Sequence, residues 1–357
     1  MEEAMRPINL INVTPGMTLG QDIYSFEGTT LLIKGVTLTS YHINRLKQYG
    51  FLSIYIDDEI SNDIELVDVI NHKTRSMAKN AIMQAMNDLQ VKKDFEVKNI
   101  KLVINNLIDE ILSSRDIMIN LSDLRTVDEY TFGHSVNVAI LSMVIGKAIG
   151  LNELRLRDLG VGAILHDIGK TQVPNHILNK PESLNDEEFK VMKAHAFLGY
   201  ELLKKYDDLS SLSKGAVLFH HERLDGSGYP FGKKDDDIHQ FARIVAITDT
   251  YDAMTSNRIY RTKVSNGMAL EYLVGMGNCH YDCDLVKVFM NHINIYPIGS
   301  MVKLNNGQKA IIIDNNKDAP TRPVVRIVLT GEEKKRCFEE IDLQKKLNII
   351  IEEVCDE

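Results

Sequence analysis

Between residue 123 and about residue 295, the sequence predicts helices whose apolar faces carry histidines and aspartates. In DEYTFGHSVNVAILSMVIGKAIG, His134 shares one helical stripe with four apolar residues, namely Val138, Leu141, Ile145 and Ala148. An imidazole needs a partner for each ring nitrogen, so a buried histidine is either a hydrogen-bonded core residue or a metal ligand. Taken alone, His134 fits the core interpretation better. A fold for this chain has to satisfy such side chains inside its core.

A second segment, LRLRDLGVGAILHDIGK, places His166 and Asp167 at the end of an apolar helix, on the face that carries Leu159 and Ala163. Burying a carboxylate beside an imidazole is costly unless the charges are compensated. One interpretation is a helix end with a cap and a salt bridge. The inward-facing pair favours the other interpretation, a functional site.

Three further segments add side chains of the same kinds. His195 lies in KAHAFLGYELL, which alone is typical of an ordinary amphipathic helix, and His220 and His221 open HHERLDGSGYP. In ARIVAITDTYDAMTSNRIYR, Asp249 and Asp252 are three residues apart and so occupy neighbouring positions on one helical face. Such acids usually cap a helix or face solvent, but beside the other segments they are interpreted as ligands.

Together the segments supply five imidazoles and two or three carboxylates, all on predicted helices. Mixed nitrogen and oxygen ligands without thiolates suit iron, manganese or zinc rather than calcium or a closed structural zinc site. The set is too large for one ion, whereas two metals bridged by a carboxylate would use it. Paired metals of this kind activate water for phosphoester displacement.

The part of the chain before the histidine-rich region divides in two. Residues 1–65 predict a small mixed α/β head, with a helix between Ser40 and Gly50, and residues 66–122 predict a helical linker. One amphipathic stripe of the linker consists of apolar residues at helical spacing: Ala78, Ile82, Met86 and Leu89. The stripe predicts a core contact or, alternatively, the contact of a homodimer.

The part that follows the histidine-rich region is predicted to be β-structure. After Pro297 the runs MVKL, KAIIID and PVVRIVL predict a short antiparallel module over residues 297–357, with a turn at Asn306-Gly307. The helical region between these parts, residues 123–296, is then a domain of its own.

The composition and net charge of the chain bear on which partners it can bind and on where it is located. Its net charge of -9 over 357 residues argues against binding of duplex nucleic acid, which requires a basic face. The acidic N-terminal start lacks an apolar signal region, and the most apolar helix is too short to span a bilayer, so no membrane insertion is expected. The four cysteines show no disulfide framework and predict a cytoplasmic setting. Cys279, His280 and Cys283 suggest a zinc knuckle, but no second ligand pair follows them.

The ordered segments HDIGK, KAHAFLG, HHERLDGSGYP and DTYDAMTSNRIYR resemble the HD-GYP family, a branch of the HD-superfamily phosphohydrolases that hydrolyses cyclic di-GMP. The likeness is densest between about residues 126 and 262, and the head and β tail also resemble segments that often flank this domain. It implies a mainly α fold with a helical HD-superfamily bundle core. It also implies hydrolysis of cyclic di-GMP to linear pGpG by a water that two metals activate, with further hydrolysis to GMP left open.

The resemblance implies a role for each matching residue. Two divalent metals, iron or manganese by family likeness, would share Asp167 as a bridging ligand. The first would be held by His134, His166, Asp167 and Asp249, and the second by Asp167, His195, His220 and His221.

The same likeness implies the substrate contacts. Lys170 would contact the scissile phosphate as a fixed cation and, with Asp167, counts as catalytic. A signature loop would form the wall beside the substrate, through Asp225, Gly226, Gly228, Tyr229 and Pro230. Arg258 and Arg261 match positions that grip phosphate or guanine, for which the guanidinium fork is suited.

One position departs from the pattern of some family members. Where those members carry a glutamate that binds a third metal, this chain has Tyr130, a poor ligand when neutral. Two metals are therefore expected, and Asp252 is expected to have a structural role.

Two alternatives stay open at the level of sequence. One is hydrolysis of another cyclic dinucleotide, such as cyclic GMP-AMP, because the base contacts depend on loops that the sequence does not place. The other is a nucleotide-binding receptor or scaffold with little turnover. The complete set of seven expected ligands favours catalysis over the second alternative.

Overall fold

The computed structural model describes residues 5–24, 29–51, 53–58, 61, 69–114, 130–256, 264–316, 319–328 and 339–355, with the side chains of residues 72, 130 and 131 left out. Over these ranges the structure consists of a small N-terminal α/β unit, a helical centre and a C-terminal antiparallel sheet.

The N-terminal unit has its own hydrophobic core. Its elements are β1 (Arg6–Asn9), β2 (Thr18–Leu19), β3 (Ile23–Tyr24), β4 (Thr30–Leu32), α1 (Ser40–Gln48) and β5 (Ser53–Asp57). Strand β5 lies between β1 and β2 in an antiparallel sheet, and β3 pairs with β4. Helix α1 begins after Thr39, whose hydroxyl accepts a hydrogen bond from the His42 backbone N–H, and the chain leaves it through Gly50 at φ 77°. The predicted mixed α/β character of this part is confirmed.

Two helices, α2 (His72–Val91) and α3 (Val97–Ser113), connect this unit to the centre. The stripe predicted on α2 is buried in the same hydrophobic cluster as the central helices. Of the two alternatives for the stripe, the structure therefore shows the core contact. A homodimer through the helical linker stays a prediction.

The helical centre is built around one helix that is buried over most of its length. Its elements are α4 (Tyr130–Ala148), α5 (Glu153–Ile164), a 3-10 helix (Ile168–Gln172), α6 (Asn175–Leu178), α7 (Asp186–Lys193), α8 (His195–Leu203), α9 (Ser211–Phe219), α10 (Gln240–Thr255), α11 (Asn266–Gly275) and α12 (Cys283–Met290). Helix α4 is buried on all sides from residue 134 to residue 146 and packs against α5 and α10, while α9 packs against α5, α8 and α10. A helix that is apolar all round occupies the middle of a bundle.

The expectation that every candidate ligand lies on a helix is wrong for two pairs. His166 and Asp167 lie in the turn after α5, and His220 and His221 lie at the end of α9 and in the turn that follows it. Successive residues of an α-helix point about 100° apart. Both members of such a pair can face one site only where the helix ends, as in these turns.

The C-terminal part is a five-stranded antiparallel sheet. Its strands are β6 (Met301–Leu304), β7 (Lys309–Asp314), β8 (Val324–Ile327), β9 (Glu340–Asp342) and β10 (Ile351–Cys355), in the order β10-β6-β7-β8-β9. Asn306 and Gly307 turn the chain between β6 and β7, with Gly307 at φ 82°. The predicted antiparallel module is confirmed. Across the described ranges, none of the helices combines the length and apolarity needed to cross a membrane.

Candidate metal centre

Side chains from five parts of the helical centre meet at one place. They are His134 from α4, His166 and Asp167 from the turn after α5, His195 from the first position of α8, His220 and His221 from the end of α9 and its turn, and Asp249 from α10. All are buried except His221, whose side chain is 20% exposed. The structure thus brings together all seven residues that the family likeness implied as metal ligands.

Three of the imidazoles are oriented by the same kind of local hydrogen bond to a backbone carbonyl. In each, Nδ1 lies 2.7 Å from the carbonyl oxygen of the residue three positions earlier: Ala163 for His166, Met192 for His195 and Val217 for His220. Because a carbonyl only accepts, Nδ1 must carry the proton and donate it. When such a ring is neutral, its other nitrogen, Nε2, presents a lone pair, which is the form that binds a metal.

These lone pairs lack protein donors. Among the described residues, His166 Nε2 and Asp167 Oδ1 are buried without a hydrogen-bond partner. The Nε2 atoms of His195 and His220 lie 3.3 Å apart, although each is an acceptor in the tautomer that its carbonyl bond fixes. Buried acceptors that face one another are costly unless a cation lies between them. The residues of this centre therefore fit a bound metal.

The candidate ligand atoms form three sets, in each of which the atoms lie within 4.8 Å of one another. The first group is His134, His166 and Asp167, and the second group is His195, His220 and His221. The third set, His166, His220 and Asp249, connects these two groups. The Oδ2 atom of Asp167 lies 3.3 Å from His166 Nε2, whereas its Oδ1 atom lies 3.4 Å from His195 Nε2. One carboxylate thus presents an oxygen to each group, as a bridging ligand would.

Asp249 lies beside the first group. Its Oδ1 atom is 3.1 Å from His134 Nε2 and 3.9 Å from His166 Nε2, and its Oδ2 atom is 3.9 Å from His221 Nδ1. Asp249 is therefore within reach of the first group and close to the edge of the second.

Both carboxylates stay ionised at neutral pH. Burial raises the pKa of Asp167, but the charge of Lys170 and the neighbouring His166 outweigh it and hold the pKa well below its usual value. Burial also raises the pKa of Asp249, and a hydrogen bond with His134 together with the nearby His166 lowers it well below the usual value. Ionised carboxylates are the form that metal ligation requires.

The histidines of the second group stay neutral. Burial, reinforced by His166, lowers the pKa of His220 to about 3. Burial also lowers the pKa of His195, and it lowers that of His221 well below the usual value. Neutral imidazoles offer their lone pairs to a cation without first losing a proton.

His134 is held between two carboxylates. Its Nδ1 lies 2.7 Å from Asp252 Oδ2, while Nε2 faces Asp249. Burial alone would lower the pKa of His134, but the hydrogen bonds with Asp249 and Asp252 outweigh it and raise the pKa to about 9. Asp252 therefore orients the His134 ring from behind. Without a metal, His134 carries a proton on both nitrogens at neutral pH, so a metal bound at Nε2 would displace the proton from that nitrogen.

A chain of hydrogen bonds continues outward from Asp252. Asn137 Nδ2 donates to Asp252 Oδ1 at 2.9 Å, and Arg75 Nη1 on α2 donates to Asn137 Oδ1 at 2.9 Å. Sequence reasoning missed both residues. The sequence does contain an indication of the role of Asn137, because it is the one amide within the apolar run SVNVAIL, three positions after His134. The sequence contains no such indication for Arg75, because its contact depends on how α2 packs against α4.

Lys170 pairs with Asp167, one of the candidate ligands. Its Nζ lies 2.5 Å from Asp167 Oδ2, and its side chain is 28% exposed. The salt bridge considered as an alternative for this helix end is therefore present beside the candidate ligands. The ammonium also lies at the edge of the centre, where the predicted contact with a substrate phosphate would be made.

The signature loop is anchored by a buried acid. Glu222 is 2% exposed, and its carboxylate accepts hydrogen bonds from the backbone N–H groups of Phe231 at 2.8 Å and Lys233 at 2.9 Å. Glu222 directly follows His221 in HHERLDGSGYP, and the sequence alone gave it no role. What could have indicated a role is its position, as a third ionisable residue next to a buried pair of histidines.

The same loop packs directly on the centre. The ring of Tyr229 stacks on His221, with centroids 4.6 Å apart and planes at 28°, and the Tyr229-Pro230 peptide bond is cis. A Cβ atom at Gly228 would lie 2.4 Å from both Arg223 N and His221 O, so only glycine fits there. Gly226 has φ 82°, which also favours glycine. Asp225 begins the turn by accepting a hydrogen bond from the Ser227 backbone N–H at 2.8 Å.

Three predicted features lie outside the described residues. Arg258 and Arg261 fall in residues 257–263, and the side chain of Tyr130 is not described. Their roles stay predictions.

Two known families match this chain, one over most of the helical centre and one over the C-terminal sheet. Residues 107–285 match the family described as "HD domain", and residues 301–357 match the "KOW domain associated with HD domain". The first match begins inside α3, so it includes part of the predicted linker. The second covers the C-terminal sheet.

Several curated proteins are similar to this chain. A protein of Pseudomonas aeruginosa named "Cyclic di-GMP phosphodiesterase PA4108" is 32% identical over 259 residues, which is 72% of this chain and 62% of that protein. A "Cyclic di-GMP phosphodiesterase" of Thermotoga maritima is 35% identical over 49% of this chain and 47% of its own length. A "3'3'-cGAMP-specific phosphodiesterase 3" of Vibrio cholerae is 33% identical over 47% of this chain and 36% of its length. This chain spans less than two thirds of each.

A solved structure shares the fold. The HDG"Y"P protein Bd1817 of Bdellovibrio bacteriovorus superposes with a TM-score of 0.50 at 15% identity, over 80% of this chain and 98% of that one. A helical bundle that gathers histidines and aspartates from these five segments defines a protein with a candidate metal centre. The chain belongs to the HD domain family.

Proposed function

We propose that this protein is a metal-dependent phosphodiesterase that hydrolyses cyclic di-GMP to linear pGpG. The observation that carries the proposal is the convergence of buried lone pairs, on His166, His195, His220 and Asp167, that no protein donor satisfies among the described residues. Relatives named cyclic di-GMP phosphodiesterases support the choice of substrate.

We propose two divalent ions, iron or manganese, in the two groups that share Asp167. The first would be held by His134, His166, Asp167 and Asp249, and the second by Asp167, His195, His220 and His221. Divalent cations bound there would supply Lewis acidity and lower the pKa of water. A mixed imidazole and carboxylate set without thiolate suits these metals.

The chain itself would position the substrate. Lys170, at the edge of the centre, would hold the scissile phosphate with its ammonium group. Tyr229, fixed by its stacking on His221, and the glycines beside it would form the wall of the substrate site. Arg258 and Arg261 would grip phosphate or guanine.

The proposal is tested by turnover of cyclic di-GMP. Protein purified without oxygen is reloaded with iron or manganese, its metal content is measured, and the linear products are separated. Wild-type protein is expected to yield pGpG, and the ratio of pGpG to GMP shows whether hydrolysis continues. Asp167→Ala removes the shared ligand and is expected to abolish turnover. Intact nucleotide in a wild-type sample of confirmed metal content would overturn the proposal.

A second substrate is favoured by one observation. A relative of 33% identity is named for 3'3'-cGAMP. Competition between the two cyclic dinucleotides for the same loaded protein separates the cases, because the true substrate has the higher kcat/KM.

Two further proposals follow from the sequence rather than from the site. We propose a cytoplasmic location, which fractionation of cells producing the full chain tests. We also propose a homodimer through the helical linker, residues 66–122, which sedimentation equilibrium tests.

A further inference from the structure

Three donor side chains of a different kind lie together beside the signature loop. Asp225 comes from that loop, and Cys279 and His280 come from the segment before α12. Cys279 Sγ lies 3.5 Å from Asp225 Oδ2, and His280 Nε2 lies 3.7 Å from the same oxygen. Fifty-four residues separate Asp225 from Cys279, so only the fold brings the three together.

Two of the three spacings between these atoms are close to those around one tetrahedral ion. Zinc binds sulfur at about 2.3 Å and nitrogen or oxygen at about 2.0–2.2 Å, so tetrahedral ligand atoms stand roughly 3.4–3.6 Å apart. The two measured separations, 3.5 and 3.7 Å, are close to that range. All three donors lie within 4.8 Å of one another.

The backbone holds the three donors in place. Asp225 N donates to Cys279 O at 2.8 Å, and Leu224 N donates to His280 O at 3.3 Å. Asp225 uses its other oxygen, Oδ1, to accept from the Ser227 N–H, which leaves Oδ2 facing the cluster. The hydrogen bonds from Ser227 lower the pKa of Asp225 to about 2, so the carboxylate is charged at neutral pH.

The cluster is accessible from solvent. The side chains of Asp225 and His280 are 34% and 27% exposed, and Cys279 is exposed. An ion can therefore reach the cluster directly, and water can complete its coordination.

We propose that Asp225, Cys279 and His280 form a second kind of metal site, which binds Zn²⁺ with water in the fourth position. Cys279 becomes a thiolate on binding, and the proton that its thiol now shares with Asp225 is released to solvent. The ion cross-links the signature loop to the segment that precedes α12. The site does not depend on the proposed phosphodiesterase activity, because none of its ligands belongs to the histidine-rich centre.

The absorption of bound Co²⁺ distinguishes this site from the histidine-rich centre. Co²⁺ bound by a thiolate absorbs strongly in the near ultraviolet through charge transfer, whereas the histidine-rich centre contains no thiol. Full-length reduced protein is titrated with Co²⁺ and then with Zn²⁺. The thiolate band is expected to appear at about one equivalent per site and to be displaced by Zn²⁺.

Two thiol variants give the matched comparison. Cys279→Ser is expected to lose the band, whereas Cys283→Ser, a thiol outside the cluster, keeps it. His280→Gln is expected to weaken Co²⁺ binding by about tenfold or more. Three results would overturn the proposal: absence of a band in wild-type protein, a band that persists in Cys279→Ser, or binding only at millimolar Co²⁺.

Discussion

At the scale of single residues, the centre depends on which nitrogen of each histidine carries the proton. His166, His195 and His220 all donate Nδ1–H to a carbonyl one turn earlier, an arrangement available at the end of a helix. The family likeness implied all three residues as ligands, and the sequence placed His166 on a buried face. It could not show the tautomers, because those follow from backbone geometry in turns that periodicity does not predict.

Substitution of Gly228 tests whether the signature loop packs closely against the candidate metal centre. Gly228→Ala places a Cβ 2.4 Å from backbone atoms of Arg223 and His221, so the loop must shift. We expect a loss of about 1–3 kcal/mol in the free energy of unfolding and a fall in turnover of at least about tenfold.

Gly215 on α9 provides the matched control for that change. A Cβ there would meet nothing within 4 Å, so Gly215→Ala is expected to raise the free energy of unfolding by roughly 0.5–1 kcal/mol. Urea unfolding of both variants gives the comparison. Equal effects of the two substitutions would contradict the packing described for Gly228.

Glu222 tests the anchoring of the loop. Glu222→Ala leaves the N–H groups of Phe231 and Lys233 without their carboxylate, and we expect a loss of about 2–4 kcal/mol in urea unfolding. Glu187, which is exposed and pairs only at the surface with Lys190, is the control. Glu187→Ala is expected to change stability by less than about 0.5 kcal/mol. A similarly small effect for Glu222→Ala would show that the loop does not depend on this acid.

At the scale of elements, α2 contributes to the centre although the sequence assigned it to a linker. Arg75 on α2 reaches Asn137 on α4, which bonds Asp252 on α10, which in turn orients His134. The amphipathic stripe of α2 was predicted from periodicity. Its partner helix could not be, because periodicity identifies a buried face but not what covers it.

Asn137 tests this connection between helices. Asn137→Ala removes a donor to Asp252 and is expected to weaken the affinity for Mn²⁺ by about 10-fold, the effect typical of residues that orient a ligand. Ser142, one turn further along α4, also bonds α10, through Thr248, but does not touch Asp252. Ser142→Ala is expected to lower stability without changing Mn²⁺ affinity. Equal Mn²⁺ affinities in the two variants would show that the network does not orient His134.

At the scale of the whole molecule, five segments that are far apart in sequence supply one centre. The resemblance identified all seven candidate ligands, and helical periodicity identified the core that surrounds them. The N-terminal unit and the C-terminal sheet each have a hydrophobic core of their own. Their structural classes were predicted from turn residues and from the alternation of apolar and polar residues. Where these parts lie relative to the centre depends on packing between elements, which a single sequence does not encode in local patterns.

Removal of metal tests whether the centre stabilises the whole fold. An ion that binds only the folded chain adds stability, by about 2.7 kcal/mol at a free concentration 100 times its Kd. Chelation of Mn²⁺-loaded protein is therefore expected to lower Tm by several degrees. Asp167→Ala should show a smaller change on chelation. A wild-type Tm that is indifferent to chelation would contradict metal binding at this centre.

The central claim is that two ions share Asp167, and the number of Mn²⁺ ions bound per chain tests it most directly. Equilibrium dialysis of the full chain against Mn²⁺ measures that number, and this hard cation disfavours the thiolate cluster. We predict two tightly bound ions in wild-type protein and the loss of tight binding at both positions in Asp167→Ala. One ion or none in wild-type protein, or two equally tight ions in Asp167→Ala, would contradict the account.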